Sequence, residues 1–243
     1  MKKENLEACR SGIKDISIWN AFMVKGARFS KHDIPFCPTT AKGLPKTILT
    51  YEEAKSVYHK MISRHKKDFF IDAFVIFCCD DYKFDNRNGI WFNHKLALRI
   101  LKHFRGIISP DFSTYQDFPD PIKRYNTYRM RAFGYWYGII VGGEVYNNVR
   151  WGTPETYEYC FDGLPTNDIL VIGTVASGLK KLVNRPIFDA GIKELYVRLH
   201  PHTIIVYGSA NYPIFNWLRE QGVNIVVYPS KTDQDFKRRA DHE

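Results

Sequence analysis

The stretch Phe69–Asp81 reads FFIDAFVIFCCDD. Its core is a continuous apolar run rather than an alternating one, the pattern of a strand covered on both faces by helices in a parallel sheet. Two carboxylates, Asp80 and Asp81, follow it directly. Similar runs recur along the chain: GIISP at Gly106–Pro110, VYNNVRW at the end of Glu144–Trp151, ILVIGT at Ile169–Thr174, TIIVY at Thr203–Tyr207 and NIVVY at Asn224–Tyr228. A further short strand is expected at Ile34–Cys37, between Pro-rich turns.

Helical patterns fall between these runs. Tyr51–Lys66 opens with Thr50 as N-cap and Glu53 at capping-box spacing. Asn93–Phe104 places Leu96, Ile100, Leu101 and Phe104 on one side. Asp120 and Pro121 start the longest helix as N-cap and first helical residue, and Gly142-Gly143 end it. Short helical patterns lie at Leu179–Val183 and at Tyr212–Gln221, the latter closed by Gly222. Strand and helix alternating at this interval predict βαβ units. The expected fold is α/β: a parallel (β/α) barrel-like fold of six to eight strands, with an open doubly wound sheet as the alternative. The barrel is favoured because no G-x-G-x-x-G or Walker loop marks a nucleotide-binding half.

At 243 residues the chain suits one α/β domain over 1–243, with 1–30 a peripheral N-terminal segment and 230–243 a polar tail. A 44% hydrophobic and 25% charged composition supports a core of useful size and argues against disorder outside the ends. The net charge of +9 favours nucleic acid, nucleotides or an acidic partner, although the basic residues are spread out. The five cysteines, Cys9, Cys37, Cys78, Cys79 and Cys160, are odd in number and lack C-x-x-C spacing, so neither a disulfide framework nor a zinc ribbon fits. The charged start has no apolar segment of a signal peptide, and no run of about 18 apolar residues suggests a membrane span. A cytoplasmic location and no membrane partner are expected.

In parallel α/β folds the carboxyl ends of the strands converge on one crevice. Asp80 and Asp81 follow the first run, Asp111 and Ser113 the second, Arg150 and Trp151 end the third, Thr174 follows the fourth and Ser209 the fifth. Asp162 sits in Cys-Phe-Asp-Gly further on. The candidate catalytic residues are therefore Asp80, Asp81, Asp111 and Asp162. Arg150, Trp151, Ser113, Thr174 and Ser209 are the candidate substrate contacts. Clustered carboxylates could hold Mg²⁺ or Mn²⁺, with Asp80 and Asp111 as ligands, or divide into acid and base. Each Asp also reads as a helix cap or turn former, and Asp162-Gly163 as a tight turn. Arg124, Tyr128, Arg131 and Tyr135 form a helical stripe that could grip phosphates and stack bases, or simply border a buried face. His200 and His202 precede a strand and so lie at its opposite end. No G-x-S-x-G, H-E-x-x-H or kinase signature is present.

The segments ISPDFSTYQDFP (Ile108–Pro119), YRMRAFG (Tyr128–Gly134), VRWG followed by ETYEYCFDGLP (Val149–Pro165) and VIGT (Val171–Thr174) resemble, in order and spacing, domain-of-unknown-function family 4417. The family belongs to phages, plasmids and other mobile elements of Gram-positive bacteria. The resemblance implies a mobile-element origin and transfers no activity or cofactor. It does place Asp111, Arg131, Arg150, Trp151 and Asp162 inside family motifs.

Two functions follow. One is an enzyme of hydrolytic or phosphoryl chemistry on a nucleotide or nucleic acid. The other is a non-catalytic protein that binds nucleic acid in replication or host control, or that inhibits a host protein.

Overall fold

The computed structural model describes residues 19–175, 177–179 and 181–230. Seven strands form one sheet: β1 (Ile48–Thr50), β2 (Ile71–Ile76), β3 (Phe104–Ile108), β4 (Glu144–Asn148), β5 (Ile169–Gly173), β6 (Thr203–Tyr207) and β7 (Asn224–Tyr228). Every neighbouring pair is parallel, and the spatial order follows the chain order from β1 to β7. A doubly wound sheet reverses its order at a switch point. This one never does, so the open doubly wound alternative is set aside.

The inner face shows how the sheet curls. Ile48, Phe74, Ile76, Ile108, Tyr146, Val171, Ile205 and Tyr207, with Val226 and Tyr228 packed against them, form one cluster drawn from all seven strands. No helix contributes to it, so the sheet covers its own inner face by curving into a half-barrel. β1 and β7 have no ladder between them among the described residues. A side chain spans that seam instead, with the Tyr228 hydroxyl donating to Pro45 O at 2.5 Å.

The outer face is covered by helices α1 (Tyr51–Ser63), α2 (His94–Leu101), α3 (Asp120–Tyr135), α4 (Arg185–Leu199) and α5 (Pro213–Glu220). Ala73, Val75, Ile107 and Val145 face one outer core, under α1 to α3. Leu170, Ile172, Ile204 and Val206 face a second, under α4 and α5. The central strands are thus buried on both faces, as their continuous apolar runs require, while the edge strand β7 stays partly exposed.

Local rules set the helix ends. Thr50 caps α1 and forms the full capping box with Glu53, which satisfies two backbone donors that the helix start would otherwise leave orphaned. Asn93 caps α2 by accepting from Leu96 N. Asp120 is the first residue of α3 rather than its cap, and Pro119 takes the cap position. Beyond Tyr135 the helix widens into a π-helical turn, Trp136–Ile140, before Gly142 turns the chain with φ +81°.

Two expectations need correction. Ile34–Cys37 is not a strand of the sheet, because its region makes only one isolated antiparallel bridge, between Phe29 and Pro35; proline lacks the donor a ladder needs. The missing strand is Ile48–Thr50, three residues long and without a recognisable run. The helix expected at Leu179–Val183 lies further along. A 3-10 turn at Leu182–Asn184 leads into α4, with Pro186 in the first turn and Phe188, Ile192, Leu195 and Leu199 on its buried side. In the segment read as peripheral, Met23 and Val24 are buried in the first outer core. The rest of that segment up to residue 18, and the tail from 231, lie outside the described residues.

Candidate active site

The carboxyl ends of β2 to β5 open into a cleft of about 460 Å³. Its centre is an ion pair. Asp111, three residues beyond β3, accepts from Arg150 Nε at 2.8 Å on Oδ1 and from Nη2 at 2.6 Å on Oδ2. Asn148 Nδ2 donates to Oδ1 at 2.9 Å and Cys78 Sγ to Oδ2 at 3.6 Å. This is the bidentate geometry that a planar guanidinium favours. Asp111 is 4% exposed, so its charge is tolerable only because Arg150 neutralises it. Burial opposes the Arg150 charge, but the attraction of Asp111 outweighs it and lifts the pKa further. Burial and the Asp111 charge push the Cys78 thiol well above its ordinary range, which leaves it a packing group rather than a nucleophile. Arg150 Nη1 has no hydrogen-bond partner among the described residues.

Asp81 forms the second polar element. It opens a 3-10 turn, Asp81–Lys83, and accepts from Ser113 N at 3.2 Å and Ser113 Oγ at 2.8 Å. Burial raises its pKa; the Ser113 hydrogen bonds oppose that, while the charges of Asp111 and Asp85 add to it. From α3, Asn126 Nδ2 donates to Ser113 O at 2.5 Å and Lys123 Nζ to Gln116 O at 2.9 Å. The loop between β3 and α3 is therefore pinned from two sides, which fixes Asp111 and Ser113 against Arg150 and Asp81.

The far wall comes from Trp151, Lys181, Asn184 and Phe188. Trp151 packs on Phe188, with ring centroids 5.2 Å apart. It also lies directly on Gly191 of α4, where a Cβ would come within 2.0 Å of the indole Nε1. Any larger residue at 191 would displace the ring.

The structure thus brings Asp80, Asp81, Asp111, Ser113, Arg150 and Trp151 to one cleft. Asp80 is at the rim, its side chain 64% exposed and 3.4 Å from Lys83 Nζ. The expected metal pair does not fit a cation: Asp111 already receives four donors, and Asp80 faces Lys83. Among the described residues no group of three His, Cys, Asp or Glu could hold a metal ion, His200 and His202 included.

Asp162, Thr174 and Ser209 do not line the cleft. Asp162 pairs with His32, Oδ2 to Nδ1 at 2.8 Å. Thr174 Oγ1 turns to Tyr207 O, and Ser209 Oγ accepts from Asn211 N. Nor do Arg124, Tyr128, Arg131 and Tyr135 make a solvent-facing stripe. Arg131 is wholly buried and donates to the carbonyls of Asn148, Cys160 and Asp162; burial lowers its pKa to about 10. Tyr128 and Tyr135 donate to the carbonyls of Trp19 and Lys25. Arg124 pairs with Asp120 and Glu158. The α3 side chains clamp neighbouring loops, the border role that the spacing also allowed.

Asn148, Lys181 and Thr114 line or support the site without having been singled out from the sequence. Asn148 had a signal, as an amide two residues before Arg150 at the end of a buried strand. Lys181 had none, since only the turn before α4 brings it to the cleft.

Fold and site together define a class: a parallel α/β half-barrel with a carboxylate–arginine cleft at its strand ends. The chain belongs to the family described as Domain of unknown function (DUF4417), whose model matches residues 30–229. It is similar to the Gene 1 protein of Mycobacterium phage D29, with 33% identity over 185 residues, covering 75% of this chain and 63% of that protein. It is also similar to the Gene 1 protein of Mycobacterium phage L5, with 32% identity over 134 residues, covering 55% of this chain and 56% of that protein. In each case the match spans less than two thirds of the relative. No solved structure matches the chain. No helix among the described residues is long and apolar enough to cross a membrane.

Proposed function

We propose that the cleft binds a phosphate-bearing substrate of the nucleotide or nucleic-acid class and carries hydrolytic or phosphoryl chemistry on it. The observation behind this reading is a single one: a carboxyl with a raised pKa, Asp81, shares the cleft with an arginine, Arg150, whose Nη1 has no hydrogen-bond partner among the described residues. Arg150 Nη1 and the exposed Lys181 supply donors for phosphate oxygens. Asp81, whose pKa burial raises, is the carboxyl placed to exchange a proton with a leaving oxygen. Asp111 is a positioning residue that orients Arg150, and Ser113 fixes Asp81. The net charge of +9 draws polyanions towards the surface. The phage context of the relatives agrees with a substrate drawn from nucleic-acid metabolism. No metal enters this scheme.

Thermal-shift screening at low salt against nucleotides and short oligonucleotides, with and without Mg²⁺ or Mn²⁺, tests binding, because a ligand of the folded state raises the melting temperature. A shift with phosphate compounds that falls in Lys181→Ala supports the reading. Turnover should then drop about 100-fold or more in Asp81→Asn, the scale of a lost proton-transfer group. A salt-sensitive shift with oligonucleotides alone, unaffected by Lys181→Ala, would favour a non-catalytic nucleic-acid binder instead.

A further inference from the structure

We propose that the ligand of the cleft is a free nucleoside monophosphate, its base stacked on Trp151 and its phosphate held by Arg150 and Lys181. The proposal rests on the phosphate reading above and adds what the phosphate is attached to.

Trp151 is built as a platform. It follows Arg150 directly in the chain, so one strand end delivers the cation and the ring together. Gly191 removes every side-chain atom from the helix surface it lies on, and Phe188 and Phe161 flank it at 5.2 and 6.4 Å between ring centroids. A ring that served packing alone could sit entirely within the second outer core. Trp151 is instead partly buried and lines the cleft, and its Nε1 donates to no partner among the described residues. A large ring already fixed in place loses little entropy when another ring stacks on it, and any base offers a face for that stacking.

The polar wall complements it. Lys181 pairs with no carboxylate among the described residues. Thr114, in the same lining, is 7% exposed and its Oγ1 has no partner among the described residues, an unsatisfied buried hydroxyl beside the cleft.

Size and charge favour a free nucleotide over a polymer. A cleft of about 460 Å³ falls among small-molecule sites, which run from about 300 to 1,000 Å³. The exposed carboxylates of Asp80 and Asp117 also line it. Asp80 is offset by Lys83, so Asp117 is the carboxylate that would oppose the further phosphates of a polymer, whereas a monophosphate has only the one phosphate, placed between Arg150 and Lys181.

Isothermal titration at low salt with AMP, GMP, CMP and UMP, with ribose 5-phosphate, and with a single-stranded oligonucleotide decides the matter. At least one nucleoside monophosphate should bind about tenfold or more tightly than ribose 5-phosphate, the scale of one stacked base. Trp151→Ala should bring that nucleotide to the level of ribose 5-phosphate and leave ribose 5-phosphate unchanged. Gly191→Ala, which displaces the ring without removing it, should act in the same direction. Trp151→Phe, the milder change if the alanine variant does not fold, should give an intermediate loss. Equal binding of nucleotides and ribose 5-phosphate would overturn the base seat while leaving the phosphate reading intact. Tighter binding of the oligonucleotide than of any monophosphate would overturn the free nucleotide as ligand. No binding by any phosphate compound would overturn both.

Discussion

Replacing Asp111 by Asn should destabilise the protein by about 2–3 kcal/mol. The carboxylate is 4% exposed and takes two guanidinium donors, an amide and a thiol. Removing one partner of a buried ion pair costs about 3–5 kcal/mol, because the remaining charge is stranded. Arg150 keeps 21% of its side chain in solvent, so water screens part of that charge and the cost falls to just below that range. Asn also turns an NH₂ towards donors at a position where the native group only accepts. Urea unfolding followed by far-UV circular dichroism gives the loss as a lower midpoint at unchanged slope. For a domain of this size the melting temperature should fall by roughly 5–10 °C. Arg150→Met should cost a similar amount by stranding Asp111. The double variant Asp111→Asn/Arg150→Met should cost less than the sum, since no charge is then left alone. A loss below about 0.5 kcal/mol in Asp111→Asn, the level of an ordinary surface substitution, would refute the ion pair as the organising contact of the site.

Other consequences concern single residues. Asp81 is raised by burial, so its proton stabilises the fold fully below the ordinary carboxylate value of about 4, and that contribution falls as the pH rises from there through the raised folded value. Relative to Asp81→Asn the wild type should therefore lose stability across this interval in urea titrations; a difference that is flat or grows with pH contradicts it. Arg131→Met removes the guanidinium that donates to the carbonyls of Asn148, Cys160 and Asp162 and should cost about 3 kcal/mol by thermal melting; a near-neutral result would deny its clamp role. Gly191→Ala forces the Trp151 indole aside and should cost about 1–3 kcal/mol with a changed near-UV spectrum; an unchanged spectrum counts against the close packing. Thr50→Ala breaks the capping box and should lower stability by about 1 kcal/mol in denaturant; no loss would show that the cap is dispensable.

The sequence revealed what depends on local pattern. The runs at Ile169–Thr174, Thr203–Tyr207 and Asn224–Tyr228 are readable because they are continuously apolar, and the parallel pairing expected of the runs at Gly106–Pro110 and Glu144–Trp151 places Asp111 and Arg150 at neighbouring strand ends. Thr50 and Glu53 announced α1 through chemistry confined to four residues. β1 left no signal, because three residues hold no period and its place is set by β2 beside it. α4 was missed because its buried positions are separated by Asp189, Lys193 and Glu194 and its start is hidden behind a turn. At the site, motif residues divided by tertiary placement. Arg150 and Arg131 look alike in sequence, yet one lines the cleft and the other is sealed beneath loop carbonyls. Asp162 was separated from the other carboxylates by His32, a partner 130 residues away in the chain. Lys181 reaches the cleft only through the turn before α4, which no local pattern specifies.

Whether the strand-end cleft receives phosphate is decided by a crystal structure of the protein soaked with a nucleoside monophosphate. Phosphate density should lie within hydrogen-bonding distance of Arg150 Nη1, with Lys181 turned towards it and Asp111 still paired to the same arginine. Phosphate bound elsewhere, against the basic residues of α3 for example, with the cleft holding only solvent, would contradict that placement.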